Sequence, residues 1–542
     1  MGLCVSTSSR LRSTKRIGQG ATSGNFRSTE RIGQGTPGGK SQRQRYIRHF
    51  RLYLLNCKLT WPMCNSPLTA SIHILDDDSL LHVFYLYRPF LLGEDDDDDD
   101  NRLFGGEGRW DRGRWWYKLA HVCQRWRNVV LCSAAYLGVS LVCTNGTPVA
   151  DMLEHSPPLP LVIDYTDEKS DDDFTPEDEE GVILALKQYD RVRRVRLRMS
   201  ATNLQKLIVA MDVEYPILEN LIIGRGIEDL TSVLMFPETL QAPHLRHLAL
   251  AGFALPIGSR LLTTAVDLIT LCLAMLHPST YFHPNTLLQW LSFMPQLETL
   301  MIGFEFPVPN RDIEGQLTHM PITTLNILPN LRSFIFKGVG NYLEALVHPI
   351  TTPPLENVQL EFFNQLRFSI PGLLRFINST NLTFKTAKVE FFNKEVYVNV
   401  FPYEEAEKYA FSIIVNCCHF DWQVSSSAQI SDSLGPMFSA VERLTLEHEV
   451  HNLSSEEHSE ADRAEWRRLL NLFRNVKTLH VAEGLVEELT RCLQLDYGEL
   501  PLEVLPELQE LIYSGSGNSG GAFTSFIDAR QNAGRSITLI RS

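Results

Sequence analysis

Apolar residues recur through most of the chain in the pattern L-x-x-L-x-L, in which x is mainly polar. A proline stands two residues before each of the clearest copies, which begin at Leu218, Leu245, Leu297, Leu331, Leu355 and Leu508. Weaker copies begin at Val192, Leu268, Val441 and Val476. From Val192 to Leu355 consecutive copies begin 23 to 34 residues apart, which indicates a repeat array.

Each copy predicts one strand, because Leu221 and Ile223 alternate onto one face of an extended segment. Helical periodicity lies between copies, as at 204–211 and 287–293. A single strand and helix cannot bury its own apolar face, so the units are expected to stack. Between residues 362 and 435 the repeat has no clear register. Strand-like runs in that region are 384–389, 397–400 and 411–417.

This spacing and core pattern resemble leucine-rich repeats. The resemblance implies an α/β solenoid over residues 141–542, with parallel strands on the inner face and helices outside. A generic α/β sheet with loosely similar strands is the alternative. In the family the inner face holds a protein target, and we predict that exposed polar positions bind it. The predicted target-binding residues are Glu219, Arg246, Glu298, Arg332 and Glu356.

Two shorter apolar stretches precede the repeats. In the first, the acids Asp76–Asp78 stand before apolar positions with helical spacing, which predicts a capped helix. In the second, apolar residues from 115 to 129 fall on one stripe of a single predicted helix. Residues 93–114 separate the two stretches. This segment contains a run of seven acids and then glycine and arginine, and it predicts a solvated loop.

The two stretches resemble the halves of an F-box. Residues 75–84, Leu-Asp-Asp-Asp-Ser-Leu-Leu-His-Val-Phe, are similar to its opening, although Asp76 stands where the family prefers proline. Residues 119–127, Leu-Ala-His-Val-Cys-Gln-Arg-Trp-Arg, are similar to its closing half, and Leu137 follows at a suitable distance. The resemblance covers residues 75–137 and predicts a helical module over 70–140, with 93–114 as an acidic insertion.

The F-box resemblance implies binding to a Skp-type adaptor and, through it, to a cullin. A module of this size cannot bury all its apolar side chains, which favours a partner surface. The predicted adaptor-binding residues are Leu75, Leu80, Leu81, Val83, Phe84, Leu119, Val122, Cys123, Trp126 and Leu137. The alternative is that these residues only cap the repeats and bind no partner.

The whole chain is similar to the F-box-like proteins with leucine-rich repeats that are expanded in mushroom-forming fungi. We therefore expect a substrate-receptor subunit of a Skp–cullin–F-box ubiquitin ligase whose target protein is unknown. The second hypothesis is a repeat scaffold without a ligase role, tethered to a membrane by acylation of Gly2 and Cys4. These residues fit an N-terminal acylation pattern.

Charge divides the chain into two unequal parts. Residues 1–60 hold twelve Lys and Arg against one acid, Glu30, which predicts a disordered basic tail. The whole chain has a net charge of -14, so the remainder is strongly acidic. Such a body repels phosphate backbones, and nucleic acid is not expected as a partner.

Candidate chemistry is sparse. The ten cysteines form no C-x-x-C pair, which favours a reducing cytoplasmic or nuclear location and no metal site. No segment is long and apolar enough to span a bilayer, so a membrane partner is not expected. A G-x-S-x-G motif surrounds Ser519, but no histidine follows it, as a hydrolase would require. We expect no enzymatic activity, no catalytic residue and no cofactor.

Overall fold

A computed structural model of the protein describes residues 75–87, 114–166, 174–226, 233–277, 281–305, 326–351, 355–363, 370–378, 382, 384–403, 408–448, 463–494, 503–514 and 521–541. These residues belong to one unit, 67–542. Several predictions lie outside the described residues: the basic tail 1–60 with Gly2 and Cys4, the acidic insertion except Arg114, and Ser519.

Helices and strands alternate along most of the described chain. The helices are α1 (Asp77–Tyr87), α2 (Trp115–Ala120), α3 (Gln124–Cys132), α4 (Ala134–Leu137), α5 (Val149–His155), α6 (Pro176–Leu186), α7 (Ala201–Ala210), α8 (Arg260–Thr264), α9 (Pro284–Leu291), α10 (Gly340–Val347), α11 (Pro371–Asn378), α12 (Phe420–Ser433), α13 (Gly435–Phe438), α14 (Arg463–Leu470), α15 (Val486–Leu493) and α16 (Thr524–Asn532). The strands are β1 (Leu141–Cys143), β2 (Leu161–Tyr165), β3 (Val192–Met199), β4 (Asn220–Arg225), β5 (Leu234–Met235), β6 (His247–Ala251), β7 (Phe253–Ala254), β8 (Thr270–Leu276), β9 (Thr299–Phe304), β10 (Asn326–Ile327), β11 (Ser333–Gly338), β12 (Ile350–Thr351), β13 (Asn357–Phe362), β14 (Thr386–Phe391), β15 (Glu395–Phe401), β16 (Phe411–Asn416), β17 (Arg443–His448), β18 (Thr478–Val481), β19 (Glu510–Tyr513) and β20 (Thr538–Arg541). Within the described ranges, every helix is too short or too polar to traverse a lipid bilayer.

Sixteen of the strands form one sheet in the order β1-β2-β3-β4-β6-β8-β9-β11-β13-β16-β15-β14-β17-β18-β19-β20. Among the described strands of this sheet, β15 alone runs antiparallel to its neighbours. The short strands form two separate parallel pairs, β5 with β7 and β10 with β12. The protein is therefore a mixed α/β structure built on a large, mostly parallel sheet, which confirms the predicted fold class at this level.

The L-x-x-L-x-L pattern sets the register of the sheet. Leu221 on β4 lies beside Leu248 on β6, which lies beside Leu271 on β8 and then Leu300 on β9. All four side chains are fully buried. Burial of each such side chain contributes about 1.5–3 kcal/mol, so a shift of one residue would expose the whole row and is strongly disfavoured.

Helices cover the face of the sheet that carries these leucines. In α7 the buried residues are Ala201, Leu204, Leu207 and Ile208, and in α9 they are Pro284, Leu287, Leu288, Trp290 and Leu291. Both helices lie where helical periodicity was predicted between copies. The apolar stripe of each helix and the leucine face of the sheet thus form one core between two layers.

The order of the strands reverses between β13 and β17. β13 pairs with β16, and β14 pairs with β17, so β14, β15 and β16 form an antiparallel meander inserted in the parallel sheet. A tight turn joins β14 to β15, in which the Phe392 N–H donates to the Glu395 carbonyl at 2.9 Å. The expectation of a uniform strand-and-helix repeat is wrong here, because such a short turn forces the next strand to pair in the antiparallel direction.

Polar side chains join the meander to the strands beside it. The Ser412 hydroxyl donates to Asn399 at 2.7 Å, and Asn399 donates to Glu390 at 3.0 Å. Lys388 contacts both Glu390 at 2.8 Å and Glu447 at 3.0 Å. This network runs from β16 to β17 and satisfies the polar groups on this face of the sheet.

We predict that thiol alkylation will separate six of the seven described cysteines into two groups. Burial raises the pKa of the Cys143, Cys272, Cys417 and Cys492 thiols to about 12. Cys132 and Cys418 are exposed. Because the thiolate is the nucleophile, iodoacetamide at neutral pH should label the exposed pair at least about tenfold faster. Peptide mass spectrometry measures this, with urea-unfolded protein as the control in which all six react alike.

Candidate functional site

An acidic cap starts the helix that opens the predicted adaptor-binding module. The Asp76 carboxylate accepts a hydrogen bond from the backbone N–H of Ser79 at 2.7 Å. This bond, with a further hydrogen bond from the Ser79 side chain, lowers the pKa of Asp76. Asp76 therefore has a local role at the position where the F-box pattern has proline: it satisfies an orphan donor in the first turn of α1.

The two halves of the F-box-like pattern pack against each other although the insertion separates them in sequence. The Phe84 ring of α1 meets the Trp126 ring of α3 edge to face, with centroids 4.9 Å apart. Arg125 contacts the Asp77 carboxylate at 2.8 Å and donates to the Leu75 carbonyl at 2.5 Å. An aromatic contact and a charged contact thus bring α1 and α3 together as one module.

The closing half of the pattern forms two helices rather than the single helix predicted. α2 ends at Ala120, and α3 begins after Cys123, whose backbone is extended. The Arg127 side chain donates to the Ala120 carbonyl at 3.1 Å and so satisfies one of the carbonyls that end α2. Because the chain turns here, Val122 leaves the predicted apolar stripe and is 56% exposed.

The ten predicted adaptor-binding residues divide into three groups by exposure. Four are in the interior and hold the module together: Leu80, Phe84, Leu119 and Leu137. Three are half-buried: Leu81, Cys123 and Trp126. Three are exposed: Leu75, Val83 and Val122. The last two groups are the ones that a partner can contact without opening the module.

Sequence analysis missed part of the exposed apolar surface of this module. Leu86 is 63% exposed, and Tyr85, Tyr87 and Tyr136 are also exposed. The Tyr85 and Tyr136 rings lie 5.3 Å apart, which joins α1 to α4 on this side. Helical spacing could have revealed Leu86 and Tyr87, because they follow Val83 by three and four residues and so share its face.

A groove of about 490 Å³ runs between α1 and α3. Its lining includes Asp78 and Leu81 from the first helix and Asn128 and Cys132 from the second. Leu81 therefore borders an open groove, which explains why it is only half-buried.

The five predicted target-binding residues form one row immediately before the strands, where the chain enters the sheet. Backbone hydrogen bonds run along the row: the Arg246 N–H donates to the Glu219 carbonyl and the Glu356 N–H to the Arg332 carbonyl, while Ile269 lies between Arg246 and Glu298. Arg332 and Glu356 form an ion pair at 2.6 Å, and Glu219 pairs with Arg193 at 2.8 Å. The charges of Arg332, Glu356 and Glu219 are therefore paired within the protein. Target binding by the five residues stays a prediction.

The same strand-start row continues in the C-terminal half of the sheet. Glu442 lies between Lys385 at 2.7 Å and Lys477 at 2.8 Å. Hydrogen bonds from these two lysines lower the pKa of Glu442 to about 2. Alternating charge along the row therefore favours neighbouring strands in their observed order.

The described residues include no group of three or more His, Cys, Asp and Glu side chains placed to hold a metal ion. His451 and His458, which lie in a segment that also contains Glu456 and Glu457, are outside those residues. Neither a protein-family model nor a curated protein sequence matches the chain. Function must therefore be inferred from the surfaces themselves.

Proposed function

We propose that this chain is a substrate-receptor subunit of a Skp–cullin–F-box ubiquitin ligase. The helical module binds the Skp-type adaptor, and the repeats hold a target protein. The observation that carries the proposal is that both halves of the F-box-like pattern pack into one module through Phe84 and Trp126, while apolar side chains such as Leu86 and Val122 stay exposed. Exposed apolar surface on so small a module is typical of a docking site.

A leucine-rich-repeat solenoid is part of this proposal. Its support is that strand order follows chain order before β14 and after β16, with parallel neighbours throughout both stretches. The helices α7 and α9 bury an apolar stripe, as the outer layer of a solenoid would. In a solenoid the other face of the sheet holds a protein target. On β4, β6 and β8 that face carries the buried residues Ile222, Ala249 and Cys272, so a target would contact the face on other strands. The receptor needs no active site, because it supplies proximity between the target and a conjugating enzyme.

Charge substitutions on the exposed apolar residues should prevent adaptor binding. We expect Val122→Glu and Leu86→Glu to reduce recovery of a co-expressed Skp-type adaptor at least about tenfold, since a charge in an apolar interface is left without a partner. Affinity purification of the full chain measures this. Matched controls are Ile257→Glu and Val209→Glu, which replace residues that are 76% and 74% exposed.

Equal recovery with the variants and the controls would contradict the adaptor-binding role. Folding is monitored on the same samples by thermal unfolding. Neither Leu80 nor Phe84 is suitable for this experiment, because both are fully buried and their replacement would disrupt the module itself.

A second candidate is an interaction scaffold in which the helical module only caps the sheet. It is favoured by the contact of Trp116, whose indole N–H donates to the Ser140 carbonyl at 3.1 Å just before β1. Leu137 is fully buried beside this junction. If the adaptor is absent from the purified wild-type chain while the sheet still binds a partner, the scaffold function replaces the receptor function.

A further inference from the structure

The groove between α1 and α3 has an apolar floor. Leu81 from α1 and Val129 from α3 line it, and Val129 is buried while Leu81 is half-buried. The groove volume of about 490 Å³ falls within the range of about 300–1,000 Å³ that is typical of ligand pockets. There is therefore room for one long side chain of a partner to lie against this floor.

The polar groups beside the floor leave one carboxylate without a counter-charge. Asp77, Asp78 and Arg125 all line the groove. Arg125 contacts the Asp77 carboxylate at 2.8 Å, whereas Asp78 has no ion-pair partner among the described residues. Gln124 and Asn128 are exposed and add two side-chain amides to the lining. The groove thus combines an apolar floor with one negative charge and two neutral hydrogen-bonding groups.

We infer that the groove receives an arginine side chain of the protein that docks on the helical module. The methylene stem of the arginine lies on Leu81 and Val129, because long basic side chains bury their stems on apolar surface. Its guanidinium carries five donors in a planar fork, which suits the Asp78 carboxylate and the amide oxygens beside it. The inference rests on the proposed function for the identity of the docked protein, the Skp-type adaptor.

Other side chains fit the groove less well than arginine. An apolar side chain displaces water from Asp78 and from the two amides without replacing its hydrogen bonds. An acidic side chain is repelled by Asp78. One turn after Leu81, Tyr85 lies on the same side of α1 and packs on Tyr136 with ring centroids 5.3 Å apart. Exposed tyrosine rings also attract a cation, so the surroundings of the groove favour the same occupant.

Protection of Cys132 from alkylation tests this inference, because Cys132 is exposed and lines the groove. The probe is the peptide acetyl-Leu-Arg-Leu-amide at millimolar concentration, added to the full chain with iodoacetamide at low salt. Peptide mass spectrometry measures the rate of labelling. We expect the peptide to slow labelling of Cys132 at least about threefold. Labelling of Cys418, which is exposed on another part of the protein, should change by less than about 1.5-fold.

Matched peptides and variants isolate the contribution of charge. A peptide with citrulline in place of arginine keeps the shape without the charge, and it should leave the labelling rate of Cys132 unchanged. Asp78→Asn should abolish protection, whereas Asp78→Glu should retain it. The control variant is Glu154→Gln, which removes an exposed carboxylate of α5 that does not line the groove and should leave protection as in wild type. Thermal unfolding verifies the fold of each variant.

Three results would overturn the inference. These are no protection of Cys132 by the arginine peptide in folded wild-type protein, equal protection by the citrulline peptide, and unchanged protection in Asp78→Asn. If Asp78→Asn is unfolded, the two peptides on the wild-type chain decide the outcome. The experiment contains no adaptor, so loss of Cys132 protection and loss of adaptor recovery are separate results.

Discussion

Replacement of Arg530 by methionine is expected to lower the free energy of unfolding of the C-terminal repeat by about 3 to 5 kcal/mol. The Arg530 side chain is fully buried. Its guanidinium donates to four backbone carbonyls, those of Val504 at 3.2 Å, Leu505 at 3.0 Å, Pro506 at 2.9 Å and Leu508 at 3.4 Å. Methionine fills similar space but leaves buried carbonyls without a donor.

The expected loss of stability is large because the contacts to these carbonyls hold an unusual backbone conformation. They belong to the segment that leads into β19, in which Leu505 has a positive φ of 49°. A non-glycine residue in this conformation persists only where its surroundings hold it. Urea unfolding and hydrogen exchange of residues 503–514 measure the loss, which should extend to β20 because that strand pairs with β19.

Arg535→Met is the matched control, since it removes an arginine three residues after the same helix. Arg535 is exposed and meets Glu507 at 3.5 Å. A surface pair of this kind contributes at most about 1 kcal/mol. Similar losses in the two variants would mean that the buried carbonyl contacts do not stabilise the repeat.

Gly252→Ala is the second substitution with a large expected effect, about 3 to 5 kcal/mol. Gly252 has a φ of +81°, and an added Cβ would lie 2.5 Å from Nε of Arg225. The Arg225 side chain is almost fully buried and pairs with Glu305 at 3.3 Å, from the end of β4 to the residue after β9. The methyl group would therefore displace a buried ion pair as well as strain the backbone.

Gly146→Ala separates these two causes. Gly146 also has a positive φ, +71°, but nothing lies within 4 Å of an added Cβ. Gly146→Ala should therefore lower the free energy of unfolding only by the cost of an alanine at positive φ, about 1 to 2 kcal/mol. In an Arg225→Ala background, Gly252→Ala should likewise fall to the backbone term, because the atom it meets is gone. Urea unfolding measures the free energy of unfolding of the single and double variants. If the losses from Gly252→Ala and Arg225→Ala simply add in the double variant, the proposed contact is excluded.

The repeat pattern was enough to predict the parallel strands and the helices between them, because each copy must hide the same apolar positions. The meander of β14 to β16 was not predictable in register. Its stability comes from contacts between residues far apart in sequence, such as Ser412 with Asn399 and Gln423 with the Phe392 carbonyl. The apolar periodicity of a local segment does not indicate which strands will form such hydrogen bonds with each other.

In the candidate site, too, the sequence predicted part of the structure and tertiary packing decided the rest. Resemblance indicated the module and its two halves, and Phe84 and Trp126 do meet. It did not separate the residues that form the module's interior from those that face outward, as Leu80 and Val122 illustrate. Both are apolar residues in the expected pattern, and exposure depends on how α1 packs on α3 and where α2 ends.

By itself the sequence determined that this protein is a mixed α/β structure with mostly parallel strands and a small helical module before them. Apolar spacing decides secondary structure and the face that must be covered, since burying that face dominates the free energy of folding. Tertiary structure alone decided the reversed order of β14 to β16 and the pairing of the strand-start charges. Each of these depends on which strands become neighbours, and that is set by packing over the whole sheet.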